Sequence, residues 1–353
     1  MEKIRVLVVD DSLVVRRVVT EVLDAQEDME VAGSASNGQV ALTKMSQLKP
    51  DLVVLDIEMP EMDGLTALTH LRKDHPRTPV IMFSSLTELG AKATLEALSR
   101  GASDFFAKPG GAGGLEASRK LIQAELVPAI RALCPRKKSK PTKHEPAVAP
   151  PKPAFQAAAA RVDAIAIGAS TGGPNALAEV FSALPASLPA PIFVVQHMPP
   201  MFTHLLAERL AKGSHVPTVE ANSGTVVEPG KAWVAPGNYH FVVARDGTRV
   251  VTRVQQDPPE NACRPAADPL FRSVAAVYGR HCLAVVLTGM GQDGLRGCEA
   301  IRAAGGQILA QDEASSVVWG MPGFVVRAGL ADKVLPLSMI AAEIARRVKV
   351  GRE

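Results

Sequence analysis

No run of about 18 apolar residues, the length needed to cross a bilayer as a helix, occurs in this 353-residue chain. The opening MEKIRVLVVDDS lacks the long apolar core of a secretory leader. Cysteine is scarce. Cys134, Cys263, Cys282 and Cys298 are scattered with no C-x-x-C pair, which argues against a zinc site or a disulfide framework and fits a reducing compartment. A cytoplasmic protein is therefore expected, one that meets any membrane partner from the cytosolic side without inserting. Charge of one sign is lacking too. Lys and Arg number 39 against 36 Asp and Glu, and a net charge of +3 is too small for a nucleic-acid surface. No basic recognition helix with helix–turn–helix spacing stands out, so a DNA-binding output is the poorest reading.

What is present is an ordinary globular composition, 47% hydrophobic and 21% charged, over more residues than one core usually covers. Two domains are expected. In the first, residues 1–133, Ile4–Val9, Val31–Ala35, Leu52–Leu55, Val80–Phe83 and Asp104–Phe106 read as buried strands. Leu13–Gln26, Gln39–Gln47, Leu65–Lys73, Glu88–Ser99 and Leu115–Leu133 read as the helices between and after them. This alternation predicts an α/β fold with a five-stranded, doubly wound parallel sheet. Residues 134–160, CPRKKSKPTKHEPAVAPPKPAFQAAAA, are rich in Pro, Lys and Ala and read as an extended, solvated linker. Alternation resumes at Val162 and predicts a second α/β domain over residues 161–350, with a Rossmann-like, doubly wound parallel sheet. Its strands are Ala164–Gly168, Ile192–Val195, Cys282–Leu287 and Gln307–Ala310. Its helices are Pro174–Ala183, His204–Ala211, Leu295–Ala304 and Ile340–Lys349, and Thr218–Arg253 reads as a β-excursion.

Parallel strands share one carboxyl edge, so residues that end them converge. In the first domain these are Asp10 and Asp11, Asp56, Ser84 and Ser85, and Lys108. Each alone is an ordinary helix cap or surface charge. Together they make a site where hard oxygen ligands hold Mg²⁺, Asp56 attacks a phosphoryl group, and Ser84 and Lys108 bind its oxygens. The pieces VVDDS, LDIEMPEMDG, FSS and AKP, in that order, resemble the response-regulator receiver family over residues 1 to about 130. That resemblance implies a sensor histidine kinase as phosphodonor, Asp56 as phosphoacceptor, and Asp10, Asp11 and the backbone carbonyl of Glu58 as Mg²⁺ ligands. The family's switch usually uses an aromatic of the fifth strand, where Phe105 and Phe106 lie.

In the second domain, Gly168-Ala169-Ser170-Thr171-Gly172 follows a strand and precedes a helix, the setting of a nucleophile elbow. Small residues permit the sharp turn, and Pro174 suits the first helical turn. Such a loop could equally cradle a phosphate or dinucleotide. A dinucleotide fold predicts an acidic residue at the end of the next strand, but that strand ends in His197. Asp293 lies in the LTGMGQDG loop, after another buried strand. Ser, His and Asp at three strand ends of one sheet can assemble a triad, although their order differs from that of the α/β-hydrolases. A non-catalytic adaptor is the remaining rival; it would tolerate loss of the triad, and all three residues are present.

GASTGGP, QHMPPMFT, APGNYH, LTGMGQDGLRG and AQDEASSVVWGMP resemble the catalytic domain of the chemotaxis protein-glutamate methylesterase family, over Val162 to about Leu337. The resemblance implies Ser170 as nucleophile, His197 as base and Asp293 as the acid that orients it, with backbone N–H groups of Thr171 and Met290 for the oxyanion. It implies hydrolysis of glutamate methyl esters on methyl-accepting chemoreceptors, deamidation of receptor glutamines, activation by phosphorylation, and no cofactor for hydrolysis. NACRPAADPLF departs from the family at Ala266 and Ala267, where Ser and Val are usual. Arg264 reads either as a cleft contact or as a salt bridge. His204 and His240 read as surface or structural residues, and Met198, Met201 and Met321 as core residues that could also line the cleft.

Overall fold

In the computed structural model, the first strand, β1 (Ile4–Val9), is almost wholly buried, as an unbroken Ile/Val/Leu run should be when both faces of a parallel sheet are covered. The structure describes residues 3–108, 114–135 and 161–351, so most of the expected linker, and Pro109, lie outside the described residues. The chain divides into two units at residue 138.

In the first unit β1 is followed by α1 (Leu13–Asp24), β2 (Met29–Ala35), α2 (Gly38–Leu48), β3 (Leu52–Asp56) and α3 (Gly64–Asp74). Then come β4 (Val80–Ser84), α4 (Glu88–Ser99), β5 (Asp104–Ala107), and α5 (Gly114–Leu121), which runs through a π-turn into α6 (Val127–Leu133). The sheet is parallel with order β2-β1-β3-β4-β5, the expected doubly wound fold. Ser12, Asn37, Asp63 and Thr87 start the first four helices, each accepting a backbone N–H of the first turn. The strand order reverses between β1 and β3, which leaves a crevice at their carboxyl ends.

The second unit begins with β6 (Ala164–Ala169), all of it buried, then α7 (Gly173–Ala183), β7 (Ile192–Gln196) and α8 (Phe202–Gly213). Next are β8 (Thr218–Glu220), β9 (Ala232–Val234), β10 (His240–Asp246), β11 (Arg249–Gln255) and α9 (Ala267–Tyr278). The unit ends with β12 (Cys282–Val286), α10 (Leu295–Ala303), β13 (Gln307–Gln311), α11 (Met321–Arg327), β14 (Lys333–Leu335) and α12 (Leu337–Lys349). Seven strands form one parallel sheet in the order β14-β13-β12-β6-β7-β9-β8. The expected excursion is therefore only partly one. β8 and β9 extend the main sheet, and only β10 and β11 form a separate antiparallel hairpin. Phe193 of β7, Trp233 of β9, Phe241 of β10 and Phe271 of α9 are fully buried in one core cluster. Among the described residues no helix is long and apolar enough to cross a membrane.

Candidate active site

The centre of the larger sheet is its topological switch point. β6 has β12 on one side and β7 on the other, so the loops after these three strands meet. Those loops carry Ser170, Asp293 and His197. Ser170 N–H donates to Thr288 O at 3.0 Å, and His197 N–H donates to Ala169 O at 3.2 Å, which ties the three loops together. Gly172 makes the elbow turn with φ 77°, in the left-handed region. The Gln196 amide donates to Ser170 O at 2.9 Å and braces the elbow from β7. On the other flank Gly289 stands so close that a Cβ there would lie 2.8 Å from Ser170 Cβ.

His197 Nε2 meets Asp293 Oδ2 at 2.7 Å, and the carboxylate is 1% exposed. Burial works against the charged ring, but the hydrogen bonds to Asp293 and to the sulfur of Cys263 outweigh it, so the pKa of His197 is raised. Burial likewise opposes ionisation of Asp293, and the histidine contact overcomes it, leaving that carboxyl below its ordinary value. Asp293 also accepts the backbone N–H groups of Ala267 and Asp268, at 2.5 and 3.1 Å. Among the described residues Ser170 makes no side-chain hydrogen bond to His197. Nδ1, the nitrogen left for a serine, has Cys263 Sγ at 3.4 Å. The backbone N–H groups of Thr171 and Met290 donate to nothing among the described residues.

Three neighbours of the histidine–aspartate pair escaped the sequence reading: Asn261, Cys263 and Asp268. They come from an irregular loop and the first turn of α9, where no strand end or apolar period marks them. Arg264 makes no ion pair among the described residues. Its guanidinium binds Asn238 Oδ1 at 2.7 Å and the carbonyls of Gln256 and Asp257 at 3.3 and 3.1 Å. Met198 and Met321 are buried, and Met201 is 41% exposed. His240 is buried with Nε2 on Pro258 O, and His204 lies on the surface beside Glu208 and Glu220.

In the first unit Asp10, Asp11 and Asp56 present carboxylate oxygens that all lie within 4.8 Å of one another. Lys108 Nζ bridges Asp10 at 2.8 Å and Asp56 at 2.7 Å. Burial pushes the Asp56 carboxyl up to about 6; Asp10 adds to the rise and Lys108 opposes it. Asp56 Oδ1 accepts the Glu58 N–H at 3.3 Å. Ser84 ends β4 as expected, but its buried hydroxyl binds Gly90 O and Thr94 Oγ1 and not the Asp56 carboxylate. Phe106 is the core aromatic, stacked on Phe83 at 5.1 Å, and Phe105 is half-buried.

Residues 165–344 match the CheB methylesterase family, and residues 6–119 match the response regulator receiver domain. The protein-glutamate methylesterase/protein-glutamine glutaminase of Trichodesmium erythraeum is 50% identical over 354 residues, covering 99% of this chain and all of that protein. The protein of the same description from a Nocardioides species is 48% identical over 353 residues, covering 99% of this chain and 96% of the relative. The crystal structure of the CheB methylesterase catalytic domain of Thermotoga maritima is 39% identical, with a TM-score of 0.52, covering 53% of this chain and 99% of that one.

Proposed function

This chain belongs to the CheB methylesterase family and carries a response regulator receiver domain; from that premise we propose a phosphorylation-activated serine hydrolase of chemoreceptor glutamate methyl esters and glutamines. Residues 1–133 are the receiver, 134–160 the linker and 161–350 the hydrolase. The observation that carries the reading is the buried 2.7 Å contact between His197 Nε2 and Asp293, beside an elbow that carries a half-buried Ser170.

Asp293 can only accept at Nε2, so the neutral ring keeps its proton there and offers a bare Nδ1. Ser170 Oγ attacks the γ-carbonyl carbon of the substrate while its proton passes to Nδ1. The carbonyl oxygen becomes an oxyanion, which the unused N–H groups of Thr171 and Met290 stabilise. His197 returns the proton to the leaving group, giving methanol from an ester or ammonia from an amide, and an acyl ester on Ser170. Water, deprotonated by Nδ1, then releases glutamate and restores the serine.

Control lies in the receiver. Asp56 is the phosphoacceptor, and a sensor kinase of the chemotaxis system is the phosphodonor. Asp10, Asp11, Asp56 and the Glu58 carbonyl suit Mg²⁺, since Lys108 already serves as a cation between two buried carboxylates. Bound there, Mg²⁺ would offset the charge of the incoming phosphoryl group. Lys108 and Ser84 then bind phosphoryl oxygens, for which Ser84 must leave Gly90 and Thr94. The enzyme meets both partners in the cytoplasm. The test is methanol release from methylated receptors, with and without Mg²⁺ and a small-molecule phosphodonor. S170A should lose roughly a thousandfold or more in kcat with substrate binding retained. Near wild-type release by S170A would overturn the assignment.

A further inference from the structure

Between β11 and α9 the chain makes a tight turn that touches the histidine–aspartate pair twice. Glu260 and Cys263 exchange backbone hydrogen bonds at 3.1 and 2.8 Å, and between them Asn261 and Ala262 take left-handed angles, φ 53° and 61°. Asn adopts such an angle readily, whereas for Ala262 it is unfavourable and persists only where the surroundings impose it. The turn sends one side chain to each end of the catalytic pair. Asn261 Nδ2 reaches Asp293 Oδ1 at 2.9 Å, and Cys263 Sγ reaches His197 Nδ1 at 3.4 Å.

We propose that this turn is a positioning element of the hydrolase: Asn261 holds Asp293 aimed at Nε2 beside a second buried carboxylate, and Cys263 occupies Nδ1 until Ser170 displaces it. The proposal rests on Ser170, His197 and Asp293 being the reacting residues.

Asn261 acts through a second carboxylate. Its Nδ2 also donates to Asp268 Oδ2 at 2.9 Å, and Asp268 and Asp293 are each 1% exposed. Two buried carboxylates side by side repel one another and tend to draw in a proton. Burial and the charge of Asp293 do raise the pKa of Asp268. The shared amide gives both anions a donor. The Gly297 N–H, at 2.6 Å from Asp268 Oδ1, gives Asp268 another. Without Asn261 a proton would settle on Asp268, the carboxyl of the pair whose pKa is raised, and Asp293 would lose the side-chain donor that fixes its Oδ1.

Cys263 acts on the nitrogen that does the work. Nδ1 has one lone pair, so the thiol proton of Cys263 and the hydroxyl proton of Ser170 compete for it. A thiol is a weak donor and gives way readily. While the thiol holds Nδ1, the base is idle in the empty site. Cys263 is half-exposed, whereas Cys282 and Cys298 are buried. Burial pushes the Cys134 thiol up to about 11 and the Cys282 thiol up to about 12, so both are poor nucleophiles at neutral pH.

The experiment is ester hydrolysis by the full-length, phosphodonor-activated chain over a pH range, for wild type, N261A, C263A, C263S and S170A. N261A should lose about tenfold to a hundredfold in kcat with little change in KM, as removal of an outer support does. C263A should move the acidic limb of kcat/KM to lower pH, because the sulfur beside Nδ1 can also accept from the ring N–H when the ring is charged and so favours that form. C263S should recover part of that shift. Iodoacetamide should inactivate wild type: the sulfur displaces iodide, an S–C bond forms, the thiol proton passes to solvent, and the new group fills the approach to Nδ1. C263A should resist the reagent. Superimposable pH profiles for wild type and C263A, with equal inactivation of both by iodoacetamide, would overturn the proposal. If N261A does not fold, C263A and C263S decide the outcome. An active S170A would defeat the triad itself, whereas an inactive S170A beside wild-type-like C263A and N261A would defeat only the positioning role.

Discussion

At the scale of single residues, the glycines around the proposed nucleophile constrain it in different ways. Gly172 is required by its backbone angle, φ 77°. Gly289 is required by space, since a Cβ there would stand 2.4 Å from Met321 Sδ and 2.8 Å from Ser170 Cβ. Both neighbours are packed, so the added methyl must push the elbow. G289A is expected to cost about 1–3 kcal/mol of stability and to lower methanol release roughly a hundredfold. Thermal melting and the release assay on the same sample measure the two losses. A variant with lowered stability and undiminished activity would mean that the elbow tolerates displacement. Ser170, His197 and Asp293 were legible in the sequence because each closes or follows a short, wholly apolar strand. Asn261, Cys263 and Asp268 were not, because a contact such as Asn261 to Asp293, across 32 positions of chain, leaves no period in the sequence. The occupant of Nδ1 was equally hidden, since hydrogen-bond choice between serine and cysteine depends on distances that no motif carries.

At the scale of elements, the C-terminal helix α12 is pinned by one carboxylate. The Glu343 side chain, 9% exposed, accepts from Arg346 at 2.8 Å, Arg347 at 2.9 Å and Lys333 at 3.1 Å. These hydrogen bonds, Arg346 foremost, hold its carboxyl far below the usual carboxylate range despite partial burial. A depressed folded-state pKa gives stability that is complete above the unfolded value, about 4.3, and is lost as pH falls from there towards the folded value. E343Q is therefore expected to melt several degrees below wild type at pH 7, at roughly 2–4 °C per kcal/mol. The gap should narrow below about pH 4. Melting curves at pH 7, 5 and 3 test this, and a gap that does not change with pH would contradict it. The elements themselves were unequally readable. β6, β7 and β12 are fully buried runs and declared themselves. β8 and β9 have three residues each, too few for a period, so their parallel pairing with the main sheet was missed. Helix α9 was missed because Pro269 reads as a breaker, yet it sits in the first turn, where no helical N–H is owed.

At the scale of the molecule, two units of similar architecture carry different chemistry on the same edge of a parallel sheet. A receiver that controls the hydrolase predicts two outcomes. D56N should lose the response to phosphodonor. A chain lacking residues 1 to about 150 should hydrolyse methyl esters faster than the unphosphorylated full-length chain if the unphosphorylated receiver holds the hydrolase in a less active population. Methanol release under matched conditions compares them. An unchanged or lower rate in the truncated chain would mean that the receiver activates without first inhibiting. The division into units was legible in composition, through the Pro- and Lys-rich run after residue 133. How a phosphoryl group on Asp56 would alter hydrolysis was not, since that depends on two states of one chain and a sequence describes neither.

The seven-strand order also makes the site a timekeeper. His197 and Asp293 are 96 residues apart in the chain, and β12 must dock against β6 before they can meet. Pairings over such separations form late, because a long loop must close before they are rewarded. Recovered hydrolysis during refolding would therefore mark the closing of the sheet's centre and lag behind the return of helical signal. A newly synthesised chain would remain inert towards esters until the loop after β12, which carries Asp293, had been made.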